Sequence, residues 1–153
     1  MKLLLDTNVL LDYCFVTRIP HEEVFEFFNV ACANANDLYA STTSANNFFY
    51  IANTEIKMTD QVKKPALINE MTWSFYDNVS SLVTFIGCDE SDIFIAEKMR
   101  SKHNDLEDNL IIASCVRSKA DYLITNDKDL IRKQIVPTKS PKEMTKLIGE
   151  NNE

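Results

Sequence analysis

The first strand constrains this chain most. Lys2-Leu3-Leu4-Leu5 runs without period-2 alternation straight into Asp6, the pattern of a strand buried on both faces that meets solvent only at its end. Such a strand belongs in the middle of a parallel sheet, where the ligand crevice lies beyond the carboxyl ends of the strands. Asp6 is therefore placed for chemistry. The plainer alternative is that it caps the helix beginning near Asn8, as aspartate often does.

The 153 residues, 45% hydrophobic, suit one domain (1–153) with a full core. Two glycines and four prolines against 25% charged residues argue against disorder and turn-rich β architectures. A mostly helical chain is expected. The apolar runs fall short of the roughly 20 residues a spanning helix needs, and no export signal opens the sequence, so no membrane partner and a cytoplasmic location are expected. Cys14, Cys32, Cys88 and Cys115 lie far apart and read as reduced core thiols.

A net charge of −7 means that any polyanionic substrate must be met by local cations. Lys63-Lys64, the run from Lys98 to His103, and Lys128 with Arg132-Lys133 are the candidates. Each also reads as a solvated helix face.

In chain order the spacing predicts a short helix to Val16, a break at Pro20 and a helix over 21–36. A strand follows at Leu38-Tyr39-Ala40, then a helix capped within Ser41–Ser44 and running to Lys57. A helix over 59–80 accommodates Pro65 in a first turn and places Trp73 and Phe75 in the core. Strand 82–86 precedes a helix that opens on Asp89, Glu90 and Asp92 and ends near Lys102. A helix from Asp105 to Lys119, a strand at Asp121–Ile124, a strand at Ile135-Val136 and a helix capped by Ser140-Pro141 complete the chain.

Alternating strands and helices predict an α/β fold with a parallel sheet and right-handed crossovers. Helix N-termini and strand C-termini then share one edge. Asp6 and Asp127 end strands there, Asp105 and Asp108 lie one turn apart at a helix start, and Asn46 and Asn47 sit early in another helix. All can converge.

Two carboxylates about 4 Å apart repel by roughly 4 kcal/mol at an effective dielectric near 20. Relief comes from a shared proton, a basic partner such as Lys128 beside Asp127, or a cation. With almost no His or Cys nearby, carboxylates select Mg²⁺ or Mn²⁺, and the implied chemistry is phosphodiester hydrolysis. His21 and His103 lie outside any recognisable nucleophilic arrangement.

Four strings together, Leu4-Leu5-Asp6-Thr7-Asn8-Val9-Leu10-Leu11-Asp12, Ser44-Ala45-Asn46-Asn47-Phe48-Phe49-Tyr50-Ile51, Asp105-Leu106-Glu107-Asp108-Asn109-Leu110-Ile111-Ile112-Ala113 and Asp121-Tyr122-Leu123-Ile124-Thr125-Asn126-Asp127, resemble the PIN-domain ribonucleases, particularly the VapC-like toxins. The resemblance implies a three-layer α/β/α sandwich around a parallel sheet of four to five strands, Mg²⁺ or Mn²⁺ held by acids, and an RNA substrate. It also implies an antitoxin protein as partner and a homodimer. It makes Asp6 the first metal ligand, Asp108 the third acid with Asp105 assisting, and Asp127 the fourth acid on water or a second metal, with Asn8 and Thr125 in support.

The departure is at the second acid, where the family usually has Glu and this chain has Asn47, or less aptly Asn46. An amide removes one negative charge, which lowers metal affinity, although Asn47 to Tyr50 matches an Asn-x-x-Tyr branch of the family. A fold retained for binding alone is the alternative that this departure raises. A phosphatase on a related sheet would need an acid where Asn8 stands. Phe15, Phe25, Phe28, Phe48, Phe49 and Tyr50 read as core, or in part as a groove for a partner helix or dimer mate.

Overall fold

The computed structural model describes residues 1–59 and 64–150. Lys63, one of the expected basic residues, lies outside them. The elements are β1 (Lys2–Leu5), α1 (Thr7–Cys14), α2 (His21–Ala33), β2 (Asp37–Ser41), α3 (Thr42–Met58), α4 (Pro65–Ser80) and β3 (Thr84–Ile86). They continue as α5 (Glu90–Met99), α6 (Leu106–Ser118), β4 (Tyr122–Ile124), α7 (Lys128–Lys133), β5 (Thr138–Lys139) and α8 (Pro141–Glu150).

The five strands form one sheet in the order β3-β2-β1-β4-β5, with every neighbouring pair parallel. β1 is central, as its unbroken apolar run requires. Its pleat sends Leu3 and Leu5 into the core shared with α1, α2, α3, α4 and α8, and Leu4 into a second core with Ile111, Ile112 and Cys115 of α6 and Leu130 of α7. Helices thus cover both faces. All three leucines are fully buried, and each contributes about 1.5–3 kcal/mol relative to exposure.

The chain leaves β1 for β2 and β3 on one side and then crosses to β4 on the other. The carboxyl ends of β1 and β4 therefore flank the switch point of the sheet, where open α/β folds bind ligands. Register fixes the juxtaposition: Leu5 pairs with Ile124, so Asp6 and Thr125 leave the sheet side by side.

Several expectations are met through the predicted local chemistry. Ser41 caps α3, Asp89 and Asp92 form a capping box on α5, and Ser140 with Glu143 closes a reciprocal cap on α8. Pro65 opens α4. Other expectations are corrected. The last strand is Thr138–Lys139 rather than Ile135-Val136, because Gln134 turns with φ 47 and the pairing with β4 begins only where Leu123 meets Thr138. The six-residue helix α7, which is too short to show a periodic pattern, lies between. Trp73 is 55% exposed rather than core, stacked edge-on against Phe49 at 4.7 Å. All four cysteines are free but only Cys115 is buried, and Cys32 is exposed. Among the described residues no helix is long and apolar enough to cross a membrane.

Candidate active site at the carboxyl edge of the sheet

Asp6 is 3% exposed. Its backbone N–H continues the ladder to the Ile124 carbonyl at 3.0 Å, and its own carbonyl accepts from Val9 at 3.1 Å to start α1. Asp6 is thus the N-cap residue of α1 by position, yet its side chain makes no cap hydrogen bond. The carboxylate is turned to Thr125, whose hydroxyl donates to Asp6 Oδ2 at 2.6 Å. The same hydroxyl accepts from the Asp127 backbone N–H at 3.0 Å. One fully buried threonine therefore ties the ends of β1 and β4 together.

The other acids divide into two kinds. Asp105 and Asp127 are helix caps: Asp105 accepts from the Asp108 N–H at 3.1 Å, and Asp127 Oδ1 accepts from the N–H groups of Asp129 and Leu130 at 2.6 and 3.0 Å. Asp105 therefore precedes α6 rather than lying in its first turn. Asp108 is half-buried, and its Oδ2 faces His103 Nε2 at 2.7 Å.

The charges of these acids act on one another. Burial, joined by the charges of Asp108 and Glu107, pushes the Asp6 carboxyl up from 3.8 to about 6 against the opposing bond from Thr125. Burial, with Asp105 and Asp127 adding to it, also raises Asp108, although His103 works the other way. The charge of Asp127 thus acts on Asp108, and that of Asp108 on Asp6. The Lys128 side chain is exposed, and no cation pairs with Asp6 among the described residues.

The remaining expected residues are placed less directly. Asn8 and Asn46 are exposed and Asn47 is half-buried, and among the described residues no hydrogen bond joins any of them to an acid. Two groups escape sequence reasoning. Glu107 is adjacent to Asp108, and its place in the same acidic helix start was the available signal. His103 was counted within a basic surface run but is 8% exposed, and its partners come from residues 108 and 133, which no local pattern connects.

Beside the acids a second polar cluster holds the loop after β4. Asn126 Nδ2 donates to Asp12 Oδ2 at 2.8 Å, and Arg18 Nη1 donates to Asp12 Oδ1 at 2.9 Å while its guanidinium also binds Glu55. His21 Nδ1 donates to the Asp12 carbonyl at 2.9 Å. Asp12 is 3% exposed, so these donors are what make its burial tolerable. Asp6 is buried, and Asp108 and Asp127 are half-buried. A cavity of about 260 Å³, lined by Ala96, Glu97, Arg100, Asn104, Leu106 and Asn109, contains none of Asp6, Asp108 and Asp127.

Among the described residues no three His, Cys, Asp or Glu side chains converge tightly enough to enclose a metal ion. A closed cage is not what Mg²⁺ requires, since it keeps several waters and is commonly held by one or two carboxylates. The donor set fits such an ion: oxygen donors only, one uncompensated buried carboxylate, and a second acid near enough to raise it.

Thr125→Val tests the local geometry. It removes the donor to Asp6 and the acceptor of the Asp127 N–H together, so a stability loss of about 1–3 kcal/mol is expected. Urea denaturation at pH 7 measures it. The Asp6 carboxyl should titrate still higher in the variant, followed by its side-chain carbon resonance.

The family model described as PIN domain matches residues 2–129. No curated protein matches the chain by sequence. Among solved structures, VapBC2 from Rickettsia felis bound to a promoter DNA fragment is similar with a TM-score of 0.66 at 16% identity, over 92% of this chain and 98% of that one. VapBC from Salmonella typhimurium, also DNA-bound, gives 0.67 at 16%, over 92% and 98%. VapC20 from Mycobacterium tuberculosis, described as a sarcin-ricin loop cleaving toxin, gives 0.66 at 10%, over 88% and 96%. At these identities the likeness is one of fold.

Proposed function

The chain belongs to the PIN-domain family, and from that premise we propose that it is a Mg²⁺- or Mn²⁺-dependent endoribonuclease, the toxin of a type II toxin–antitoxin pair acting in the cytoplasm. The observation that carries this reading is a buried carboxylate, Asp6, held by Thr125 and without a cationic partner among the described residues at the switch point of the sheet, with Asp108 acting on it as a second acid. Uncompensated negative charge at that edge is what a divalent cation neutralises. In this reading Asp6 and Asp108 hold the ion, and Asp127 and Asp105 add negative potential while capping their helices. Thr125 orients Asp6, and Asn8 and Asn47 contribute from the rim, Asn47 without the charge of the usual Glu.

When bound, the ion supplies an activated water and neutralises the scissile phosphate. The protein's own share is to fix its oxygen donors on three rigid elements. The exposed Lys128 next to Asp127 favours a polyanion locally despite the acidic whole, while Arg132 on the same helix is paired with Asp129.

The fold shared with a loop-cleaving toxin and with DNA-bound VapBC complexes supports RNA as substrate and an antitoxin protein as partner in this reading. Of the six aromatics, Phe15, Phe28 and Phe48 are buried, whereas Phe25 is 46% and Tyr50 74% exposed. The open pair leaves apolar surface for an antitoxin helix or a second copy in a homodimer. Incubation of a single-stranded RNA with Mg²⁺ or Mn²⁺ tests the activity. Cleavage by the wild type that disappears with EDTA and in Asp108→Asn is expected. Cleavage that persists in EDTA, or none with either metal, would overturn it.

A further inference from the structure

The geometry points to His103 as the positioning residue for Asp108, with Lys133 fixing its tautomer. This rests on the functional reading only in naming Asp108 as a metal-binding acid. His103 lies in the segment between α5 and α6, and its carbonyl accepts from Asn109 Nδ2 at 2.7 Å. Its Nδ1 is 2.8 Å from Lys133 Nζ, and Nε2 is 2.7 Å from Asp108 Oδ2.

An ammonium has only protons to give, so Nδ1 presents its lone pair to Lys133, the Asp129 carboxylate lying farther from Nδ1, at 3.7 Å. The ring proton then sits on Nε2 and is donated to Asp108. Lys133 in turn pairs with the Asp129 carboxylate at 2.6 Å, and the Asp129 backbone N–H donates to Asp127 Oδ1. A continuous line thus runs from Asp127 through Asp129, Lys133 and His103 to Asp108, linking the starts of α6 and α7. It keeps Asp108 Oδ2 occupied and leaves Oδ1 for a ligand. Among the described residues no other side chain donates to Asp108, while Asp105 and Asp127 repel it. Without His103 the carboxylate has no neighbour to hold its rotamer.

The test compares wild type, His103→Ala, His103→Gln and Lys133→Met by thermal melting, by Mn²⁺ titration with the free-ion electron paramagnetic resonance signal, and by RNA cleavage. Hydrogen-bonding partners of metal ligands typically change metal affinity or activity 10–100-fold. His103→Ala is expected to weaken Mn²⁺ binding by about that factor while still melting cooperatively. His103→Gln, whose Nε2 can again donate, should recover most of the loss, and Lys133→Met should fall between. Mn²⁺ affinity and cleavage at wild-type levels in His103→Ala would overturn the assignment, as would His103→Gln no better than His103→Ala. If His103→Ala fails to fold, His103→Gln and Lys133→Met decide by the same measurements. A wild type that neither binds Mn²⁺ nor cleaves RNA refutes the functional reading instead. In that case the side-chain carbon resonance of Asp108 decides: it should shift in His103→Ala and return in His103→Gln, and an unchanged resonance overturns the positioning role.

Discussion

Asp6→Asn should abolish RNA cleavage and at the same time make the protein more stable at neutral pH. The loss follows from removing a buried carboxylate that has no cationic partner among the described residues, and a fall of roughly 10³-fold or more in turnover is expected for a group of this kind. The gain follows from linkage. The folded chain binds the Asp6 proton more tightly than the unfolded chain, with the carboxyl at about 6 rather than 3.8. Stability is therefore fully retained below the lower value, falls as pH rises between the two, and stays reduced above the higher one. The reduction is about 3 kcal/mol, and an uncharged amide avoids it while its oxygen still accepts from Thr125. Urea denaturation at pH 7 should show the variant to be the more stable protein. At pH 3.5 the difference should close. A variant that is less stable at pH 7 would mean that Asp6 is not a strained anion.

Phe48→Ala should bring the largest loss of stability, about 3–5 kcal/mol of a typical total of roughly 5–15 kcal/mol. The ring is fully buried in the core between α3 and the sheet, next in sequence to Asn47. The urea midpoint should drop with little change in slope. Phe25→Ala, at a ring 46% exposed that meets the rings of Tyr13 at 5.9 Å and His21 at 6.0 Å, should change stability by about 1 kcal/mol or less. Equal losses in the two variants would contradict the division of the aromatics into core and open surface.

The sheet is legible in the sequence because its signals are local. Leu3-Leu4-Leu5 announces a doubly covered strand, and serine, aspartate and proline mark the helix starts at Ser41, Asp89, Pro65 and Ser140. The shared edge follows from topology, which is why Asp6, Asp108 and Asp127 are expected there, whereas Thr125 enters only through the family resemblance. What escapes depends on tertiary contact. Trp73 has the composition of a core residue but lies on the outer side of α4, where hydrophobic spacing over one turn cannot distinguish faces. The strand after α7 starts where Thr138 meets Leu123, a register set by a partner 15 residues away. His103 is unreadable for the same reason, since Asp108 and Lys133 reach it from different helices.

Binding of Mn²⁺ to the wild type, Asp6→Asn and Asp108→Asn, titrated in the absence of RNA, tests most directly whether the acids of β1 and α6 form one cation site. Saturable binding to the wild type, lost or weakened at least tenfold (about 1.4 kcal/mol) in both variants, is the expected result. Affinity unchanged in either variant would contradict it, because the two carboxylates would then not serve the same ion.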